Sequence, residues 1–156
     1  MPPAAITLPL ADVEATERLA AAVARRARPG EAILLAGDLG TGKTTFARAF
    51  VRARTGRVED VPSPTFTLVQ TYPDPAGEIW HVDLYRLESP DDAEELGLDE
   101  AFARAIVLVE WPDRLAGQVP ADRLEIAFGY GAAEDGRVAR LAGHGAWAAR
   151  IAALAA

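Results

Sequence analysis

The chain has 156 residues, a formal net charge of −7, an isoelectric point near 4.8 and no cysteine. This length fits one ordinary domain, and the lack of cysteine excludes disulfides, thiolate metal sites and cysteine nucleophiles. An acidic chain is a poor candidate for gripping a nucleic-acid backbone, because that affinity comes mainly from Lys and Arg. The first residues lack the basic and apolar regions of a signal peptide, and no apolar run is long enough to cross a bilayer. We therefore expect a cytoplasmic protein.

The first half of the chain alternates between helical and strand-like patterns. Apolar spacing predicts a helix over residues 11–28, with Arg in its last turn and Pro29-Gly30 after it. The apolar run at 32–37 is typical of a strand buried on both faces of a parallel sheet. A second helix is expected over 43–55, where Phe46 and Phe50 share one face. A Pro-containing loop follows at 56–66, and strands are expected at 67–72 and 79–83.

The second half continues this pattern. Ser89 and Pro90 indicate a helix start, and Gly97 divides residues 89–103 into two short helices. The apolar run at 105–110 predicts another buried strand, residues 123–128 and 137–143 a hairpin, and 147–156 a closing helix. These elements predict one α/β domain over 1–156, with a central, mostly parallel (mixed) sheet flanked by helices.

The segment GDLGTGKT at 37–44 matches G-x-x-x-x-G-K-[ST] and contains Lys43, the only lysine of the chain. Its glycines permit a tight turn whose backbone N–H groups point at phosphate oxygens. Lys43 is expected to reach the β- and γ-phosphates, and Thr44 to offer a hydroxyl to Mg²⁺. Because a buried strand precedes this segment and a helix follows it, we predict a P-loop nucleotide site.

P-loop proteins include GTPases, small-molecule kinases and ATPases. A GTPase usually reads guanine with N-K-x-D, but this chain has no Asn and no second Lys. A small-molecule kinase needs a mobile lid and a second substrate site, and the chain offers little length for either. ATP hydrolysis is favoured. The alternatives that stay open are a kinase and a nucleotide-dependent interaction switch with incidental hydrolysis.

Acidic residues end two of the predicted strands, where a P-loop protein needs a carboxylate near its metal. Glu110 follows AIVLV and Asp83 follows IWHV, so one could serve Mg²⁺ while the other orients water or senses the γ-phosphate. Trp111 either covers the edge of the core or stacks on a purine. His81 alternates with Asp83, but its role stays open.

The segment SPTFTL at 63–68 lies between the P-loop helix and the next strand. Such regions order around the γ-phosphate and Mg²⁺ in P-loop switches. The hydroxyls of Ser63 and Thr65 are therefore predicted switch contacts. The competing interpretation is a Pro-rich edge loop.

Four segments, in order and at suitable spacing, resemble the TsaE (YjeE) family of small bacterial P-loop ATPases: GDLGTGKTTFARAF, SPTFTLV, HVDLYRL and VEWPDR. With their flanks they cover about residues 10–140. The resemblance implies a P-loop NTPase fold and Mg²⁺-dependent ATP hydrolysis. It also implies action with the proteins TsaB and TsaD in making N6-threonylcarbamoyladenosine at position 37 of tRNAs that read codons beginning with A. The tRNA would be handled only through these partners, which suits the acidic charge.

The resemblance also implies roles for individual residues. Asp83 and Lys43 would support hydrolysis, and Mg²⁺ would be held by Thr44 and Glu110. Trp111 would lie against adenine, and Arg137 of GRVAR would lie near the nucleotide. The implied phosphate loop consists of Asp38, Leu39, Gly40, Thr41, Gly42, Lys43, Thr44 and Thr45.

Overall fold

The computed structural model describes residues 4–38, 40–56, 69–87, 92, 95–115, 117–134 and 136–155. The strands are β1 (Ala4–Leu10), β2 (Ala32–Ala36), β3 (Val69–Asp74), β4 (Gly77–Asp83), β5 (Ile106–Glu110), β6 (Arg123–Tyr130) and β7 (Arg137–His144). The α-helices are α1 (Val13–Ala24), α2 (Lys43–Thr55), α3 (Leu98–Arg104) and α4 (Trp147–Arg150). Two 3₁₀ helices span Pro112–Leu115 and Ile151–Ala155.

The described strands form one seven-stranded sheet in the order β1-β7-β6-β2-β5-β4-β3. The four central strands β6, β2, β5 and β4 pair in parallel, and the outer pairings are antiparallel. The predicted α/β fold class with a mixed, mostly parallel sheet is therefore confirmed. Because β2 lies between β5 and β6, the chain leaves the carboxyl end of β2 at a crevice where α/β proteins place ligands.

Side chains of the central strands alternate between two apolar layers. Ile33 and Leu35 pack in a cluster with Phe46 and Phe50 of α2, on the face that also carries α1. Leu34 packs on the other face, in a cluster that includes residues of α3 and the first 3₁₀ helix. Both faces of β2 are thus covered, which explains why its sequence is apolar throughout.

The same alternation determines which side chains at the carboxyl ends of the strands point to the sheet face that α2 covers. Ile106 and Leu108 of β5 belong to the cluster beneath α2, so Glu110, two residues on, points to that face. On β4, Ile79 belongs to the same cluster, and the period of two places His81 and Asp83 beside it. Asp83 pairs in register with Glu110, so the two predicted acidic residues are neighbours.

Some boundaries differ from the sequence-based expectations. The prediction of helix through residue 28 is wrong at its C-terminal end, because α1 stops at Ala24 and Arg25 is its C-cap. Arg54 of α2 donates to the carbonyls of Ala24 and Ala27 at 3.0 Å each, which satisfies the end of the helix. The closing helix is α-helical for one turn only and continues as a 3₁₀ helix.

Strand β1 was not predicted, although its inward and outward residues alternate along 4–10. Strand β3 extends through Pro73 to Asp74, further than expected, because an edge strand tolerates proline on its open side. Gly97 does precede a helix, α3, with φ 80°. The predicted helix start at Ser89 and Pro90 lies outside the described residues. None of the described helices has the length and apolar character needed to span a bilayer.

Arg54 also pairs with Asp74 on β3, through Nη2 to Oδ2 at 2.6 Å and Nε to Oδ1 at 2.9 Å. The Asp74 side chain is 1% exposed. Hydrogen bonds from the Arg54 guanidinium hold the pKa of Asp74 below its ordinary value. One guanidinium therefore joins the end of α1, the helix α2 and the edge strand β3.

We expect Asp74→Asn to lower the free energy of unfolding at pH 7 by about 3 kcal/mol, because it breaks a largely buried ion pair. The pKa of Asp74 is depressed by folding, so its contribution is present above the unfolded pKa, about 3.9, and is lost as pH falls through the folded pKa. Urea unfolding from pH 7 to pH 2 measures this, and the wild-type advantage should shrink at the acid end.

The control is Glu78→Gln, which breaks the exposed pair between Glu78 and Arg104 and should cost less than about 1 kcal/mol. If the difference in unfolding free energy between wild type and Asp74→Asn does not change with pH, the assigned role of Asp74 is contradicted.

Candidate functional site

The glycine loop connects the carboxyl end of β2 to the first turn of α2. Gly37, Gly40 and Gly42 have φ angles of 136°, 80° and 113°, in the region that favours glycine. Gly42 is the N-cap of α2 and makes no side-chain capping bond, so the first N–H groups of the helix are available to a ligand. Thr41 Oγ1 donates to the carbonyl of Asp38 at 2.6 Å and braces the turn.

Lys43 opens α2 and its side chain folds back beneath the loop. Its Nζ donates to the carbonyl of Gly37 and lies 3.5 Å from the centroid of the Trp111 ring, within cation–π range. Burial lowers the pKa of Lys43, and the nearby carboxylates of Glu110 and Asp83 act in the opposite direction. The ammonium group is thus desolvated inside the loop, where a phosphate would meet it.

Thr44 and Glu110, the two residues predicted to hold Mg²⁺, lie next to each other in the structure. Thr44 Oγ1 donates to Glu110 Oε1 at 2.9 Å. Glu110 is only 2% exposed, and its other oxygen, Oε2, lies 2.7 Å from Nε2 of His81. The sequence did not reveal this second contact, although the period of two on β4 placed His81 on the correct face.

Asp83 lies beside Glu110 at the same sheet edge. The backbone N–H of Tyr85 donates to Asp83 Oδ1 at 3.0 Å. Burial raises the pKa of Asp83, with a smaller contribution from the negative charge of Glu110. This carboxylate therefore accepts a proton more readily than an exposed Asp does.

Trp111 is the residue at which β5 turns away from the sheet. Its φ is 62°, and it alone has a positive φ among the described non-glycine residues, a conformation that costs about 1–2 kcal/mol for an L-residue. The backbone N–H of Trp111 donates to the carbonyl of Leu35 at 3.2 Å. Its ring meets the Tyr85 ring at a centroid distance of 5.0 Å. The strained turn therefore puts the indole between Lys43 and Tyr85.

Arg137, from the start of β7, reaches the glycine loop from the opposite side. Its Nε and Nη2 donate to the carbonyl of Gly40 at 3.4 and 3.3 Å. Its guanidinium carbon lies 4.8 Å from the centroid of the Tyr130 ring. The structure thus places Arg137 at the glycine loop, and its position near a nucleotide stays a prediction.

One cavity of about 730 Å³ lies at the glycine loop. Its lining includes residues 40–45, Asp83, Glu110, Trp111 and Arg137. It also includes residues that the sequence did not single out, from the start of α1 and from the segment after β4. Those additional lining residues are Asp12, Val13, Glu14, Thr16, Tyr85 and Arg86. Only the tertiary fold brings α1 to the loop, so no local pattern could have identified the four residues at its start, whereas Tyr85 and Arg86 lie within the segment HVDLYRL.

Of the other predicted site residues, Thr45 lines the cavity in the first turn of α2, and Asp38 accepts the Thr41 bond. Leu39, Ser63 and Thr65 lie outside the described residues. In the described part of the chain, no three His, Cys, Asp or Glu side chains are grouped to hold a metal ion.

The site thus consists of a buried parallel strand, a glycine loop that ends in Lys43-Thr44, and the helix that follows. The family model described as "Threonylcarbamoyl adenosine biosynthesis protein TsaE" matches residues 10–138. The chain belongs to the TsaE family.

Individual relatives agree with the family match. The "tRNA threonylcarbamoyladenosine biosynthesis protein TsaE" of Rickettsia bellii is 42% identical over 113 residues, which cover 72% of this chain and 78% of that protein. Its counterpart in Bacillus subtilis is 43% identical over 116 residues, 74% of this chain and 72% of that protein. The crystal structure of Bacillus subtilis YdiB is similar to the fold described above, with a TM-score of 0.77 and 31% identity, covering 98% of this chain and 93% of that one.

The glycine loop packs closely against β6 at Gly37. A Cβ on Gly37 would lie 2.6 Å from the carbonyl oxygen of Phe128 and 2.9 Å from Thr41 Oγ1, at a φ of 136°. We expect Gly37→Ala to destabilise the protein by about 2 kcal/mol, since a strained backbone costs about 1–3 kcal/mol and the neighbouring backbone must move. Chemical denaturation measures the change.

Gly129→Ala is the matched control, because its added Cβ meets nothing within 4 Å and its φ is unexceptional. Equal stability of Gly37→Ala and Gly129→Ala would contradict the close packing of the loop on β6.

Proposed function

We propose that this protein is a Mg²⁺-dependent ATPase that acts with TsaB and TsaD in forming N6-threonylcarbamoyladenosine at position 37 of tRNAs that read codons beginning with A. The observation that carries the proposal is the hydrogen bond from Thr44 to Glu110 beside the glycine loop. It brings together the phosphate loop and the acidic strand end that P-loop hydrolysis requires.

Phosphate binding follows from the loop itself. The open N–H groups at the start of α2 and the desolvated ammonium group of Lys43 supply donors and positive charge for the β- and γ-phosphates. Arg137 adds a second cation at Gly40 on the other side of the loop. ATP would therefore replace the contacts that Lys43 makes with Gly37 and the Trp111 ring.

The residues at the loop fit a magnesium ion. Mg²⁺ prefers oxygen ligands and is usually bound by one or two protein groups together with phosphates and water. The Thr44 hydroxyl donates a hydrogen bond to Glu110, so the lone pairs of the hydroxyl oxygen stay available to a cation. Glu110 adds a carboxylate. When bound, Mg²⁺ supplies positive charge that offsets the charge developing on the phosphate oxygens.

Asp83 is proposed to position the attacking water and accept its proton. It lies in register with Glu110 on the adjacent strand, and burial raises its pKa, which suits proton acceptance. In-line attack of this water on the γ-phosphorus would break the bond to the oxygen that bridges the β- and γ-phosphates and would release ADP and inorganic phosphate, with Lys43 neutralising the charge of the phosphate oxygens.

The base is proposed to be adenine. The chain lacks any Asn, so it has no N-K-x-D guanine reader. Stacking of adenine on Trp111 stays a prediction, and it requires Lys43 to leave the indole ring. The contribution of Ser63 and Thr65 as switch residues likewise stays a prediction.

The role in tRNA modification rests on membership of the TsaE family. With a net charge of −7, direct binding of the tRNA backbone would be weak, so we propose that tRNA is handled by TsaB and TsaD. The protein would act in the cytoplasm together with these partners.

Lys43→Arg tests phosphate binding. A planar guanidinium does not fit beneath the closely wrapped loop as an ammonium does, so we expect the Kd for ADP and ATP with Mg²⁺ to rise tenfold or more, about 1.4 kcal/mol. Calorimetric titration measures the Kd. The exposed Arg25→Lys serves as control, and both variants should keep the wild-type thermal unfolding profile. Wild-type affinity in Lys43→Arg would contradict the assignment.

Asp83→Ala tests hydrolysis. Loss of a general base typically lowers rates by about 10²–10⁴-fold, so phosphate release should fall at least a hundredfold while ATP binding is retained. Reconstituted tRNA modification with TsaB and TsaD should then stop after few turnovers. Sustained modification by an Asp83→Ala variant that binds ATP would favour the interaction switch over the ATPase. ATP consumption matched by a phosphorylated small molecule would favour a kinase.

A further inference from the structure

His81 is buried beside the site but has no role in the proposed hydrolysis. It lies on β4, two residues before Asp83, and is 0% exposed. Strand β4 pairs in parallel with β5 and places His81 opposite Leu108. Its ring extends from there toward the carboxyl edge of the sheet and reaches Glu110.

The contact defines which nitrogen carries a hydrogen. Glu110 Oε2 lies 2.7 Å from His81 Nε2, and a carboxylate oxygen only accepts hydrogen bonds. Nε2 is therefore the donor. Because Thr44 donates to the other oxygen, Oε1, each oxygen of the Glu110 carboxylate has its own donor.

Packing alone does not account for a histidine at this position. Nδ1 of His81 is buried and has no hydrogen-bond partner among the residues that the structure describes, an arrangement that is unfavourable in a protein core. Its neighbour on the same face of β4, Ile79, is apolar, and an apolar side chain at 81 would fill the space without burying an unpaired nitrogen. The contact to Glu110 is the one feature of the described structure that calls for a hydrogen-bond donor at this position.

We propose that His81 is a positioning residue that orients Glu110 toward Thr44 and thereby sets the affinity of the site for the nucleotide-bound metal ion. Groups that hydrogen-bond to metal-binding side chains orient them, and their loss typically lowers metal affinity about 10–100-fold. The inference rests on the proposed function, because it assigns His81 to the same metal site. It predicts an effect on metal-dependent binding that is separate from nucleotide binding itself.

The first experiment compares His81→Phe, His81→Gln and Tyr72→Phe with wild type. Each is titrated with ADP in Mg²⁺ and in EDTA, and Mn²⁺ binding to the ADP complex is followed by electron paramagnetic resonance. His81→Phe should keep its ADP affinity in EDTA within about threefold and lose about tenfold or more in Mn²⁺ affinity. His81→Gln, whose amide nitrogen can replace Nε2, should recover most of it.

Tyr72→Phe is the matched control, because it removes another buried polar atom that has no partner in the described part of the chain, from the same face of the neighbouring strand β3. It should bind Mn²⁺ as wild type does. Wild-type Mn²⁺ affinity in His81→Phe, or an equal loss in His81→Phe and His81→Gln, would overturn the positioning role.

The second experiment needs no variant at position 81. The chain has two histidines, His81 and His144, so ¹⁵N nuclear magnetic resonance with His144→Gln assigns the His81 ring. We expect a protonated Nε2 whose signal shifts when Mg²⁺ is added to the ADP complex. An unprotonated Nε2, or a signal indifferent to Mg²⁺, would overturn the proposal even if His81→Phe fails to fold.

The two proposals fail differently. If wild type binds ADP no better in Mg²⁺ than in EDTA and binds no Mn²⁺, the proposed metal site is wrong, and with it the role of His81. If wild type shows both effects but His81→Phe shows them undiminished, the proposed function stands and only the inference about His81 falls.

Discussion

The burial of the Glu110 carboxylate is the constraint on which the site depends. A buried charge must be paired or hydrogen-bonded, and Glu110, at 2% exposure, finds its donors on two other elements. Thr44 supplies one from the first turn of α2 and His81 the other from β4. The start of α2 is therefore joined to the carboxyl edge of the sheet through this carboxylate. The glycine loop, which ends where α2 begins, takes its position from that connection.

Lys43 stabilises the loop through the contacts of its own ammonium group. Its desolvated ammonium group lies near Glu110 and Asp83 and uses the carbonyl of Gly37 and the face of Trp111 as partners. The φ of 62° at Trp111 is unfavourable for an aromatic residue, so the surrounding contacts must hold it. Nucleotide binding would then be an exchange of partners at Lys43, in which phosphate oxygens replace a carbonyl and an aromatic ring.

Much of this site could be predicted from the sequence, because the decisive patterns are local. The loop motif places Lys43 and Thr44 at a helix start, and two strands ending in Glu110 and Asp83 must meet at one edge of a parallel sheet. The contact of His81 with Glu110 depends on strand register and side-chain reach, which no local pattern reveals. Strand β1 is different, since its alternation was present in the sequence but its pairing with β7 requires the whole sheet.

The antiparallel side of the sheet belongs to the site as much as the parallel centre does. Strand β6 packs against the loop, where Phe128 approaches Gly37, and β7 begins with Arg137, which bonds to Gly40. The match to the TsaE family extends to residue 138, just past this arginine. The rest of β7 and α4 contribute the buried side chains of Leu141 and Trp147 to the core beneath α1 and α2. Strand β7 therefore contributes to two parts of the molecule, since its first residue contacts the glycine loop and later residues pack in the core.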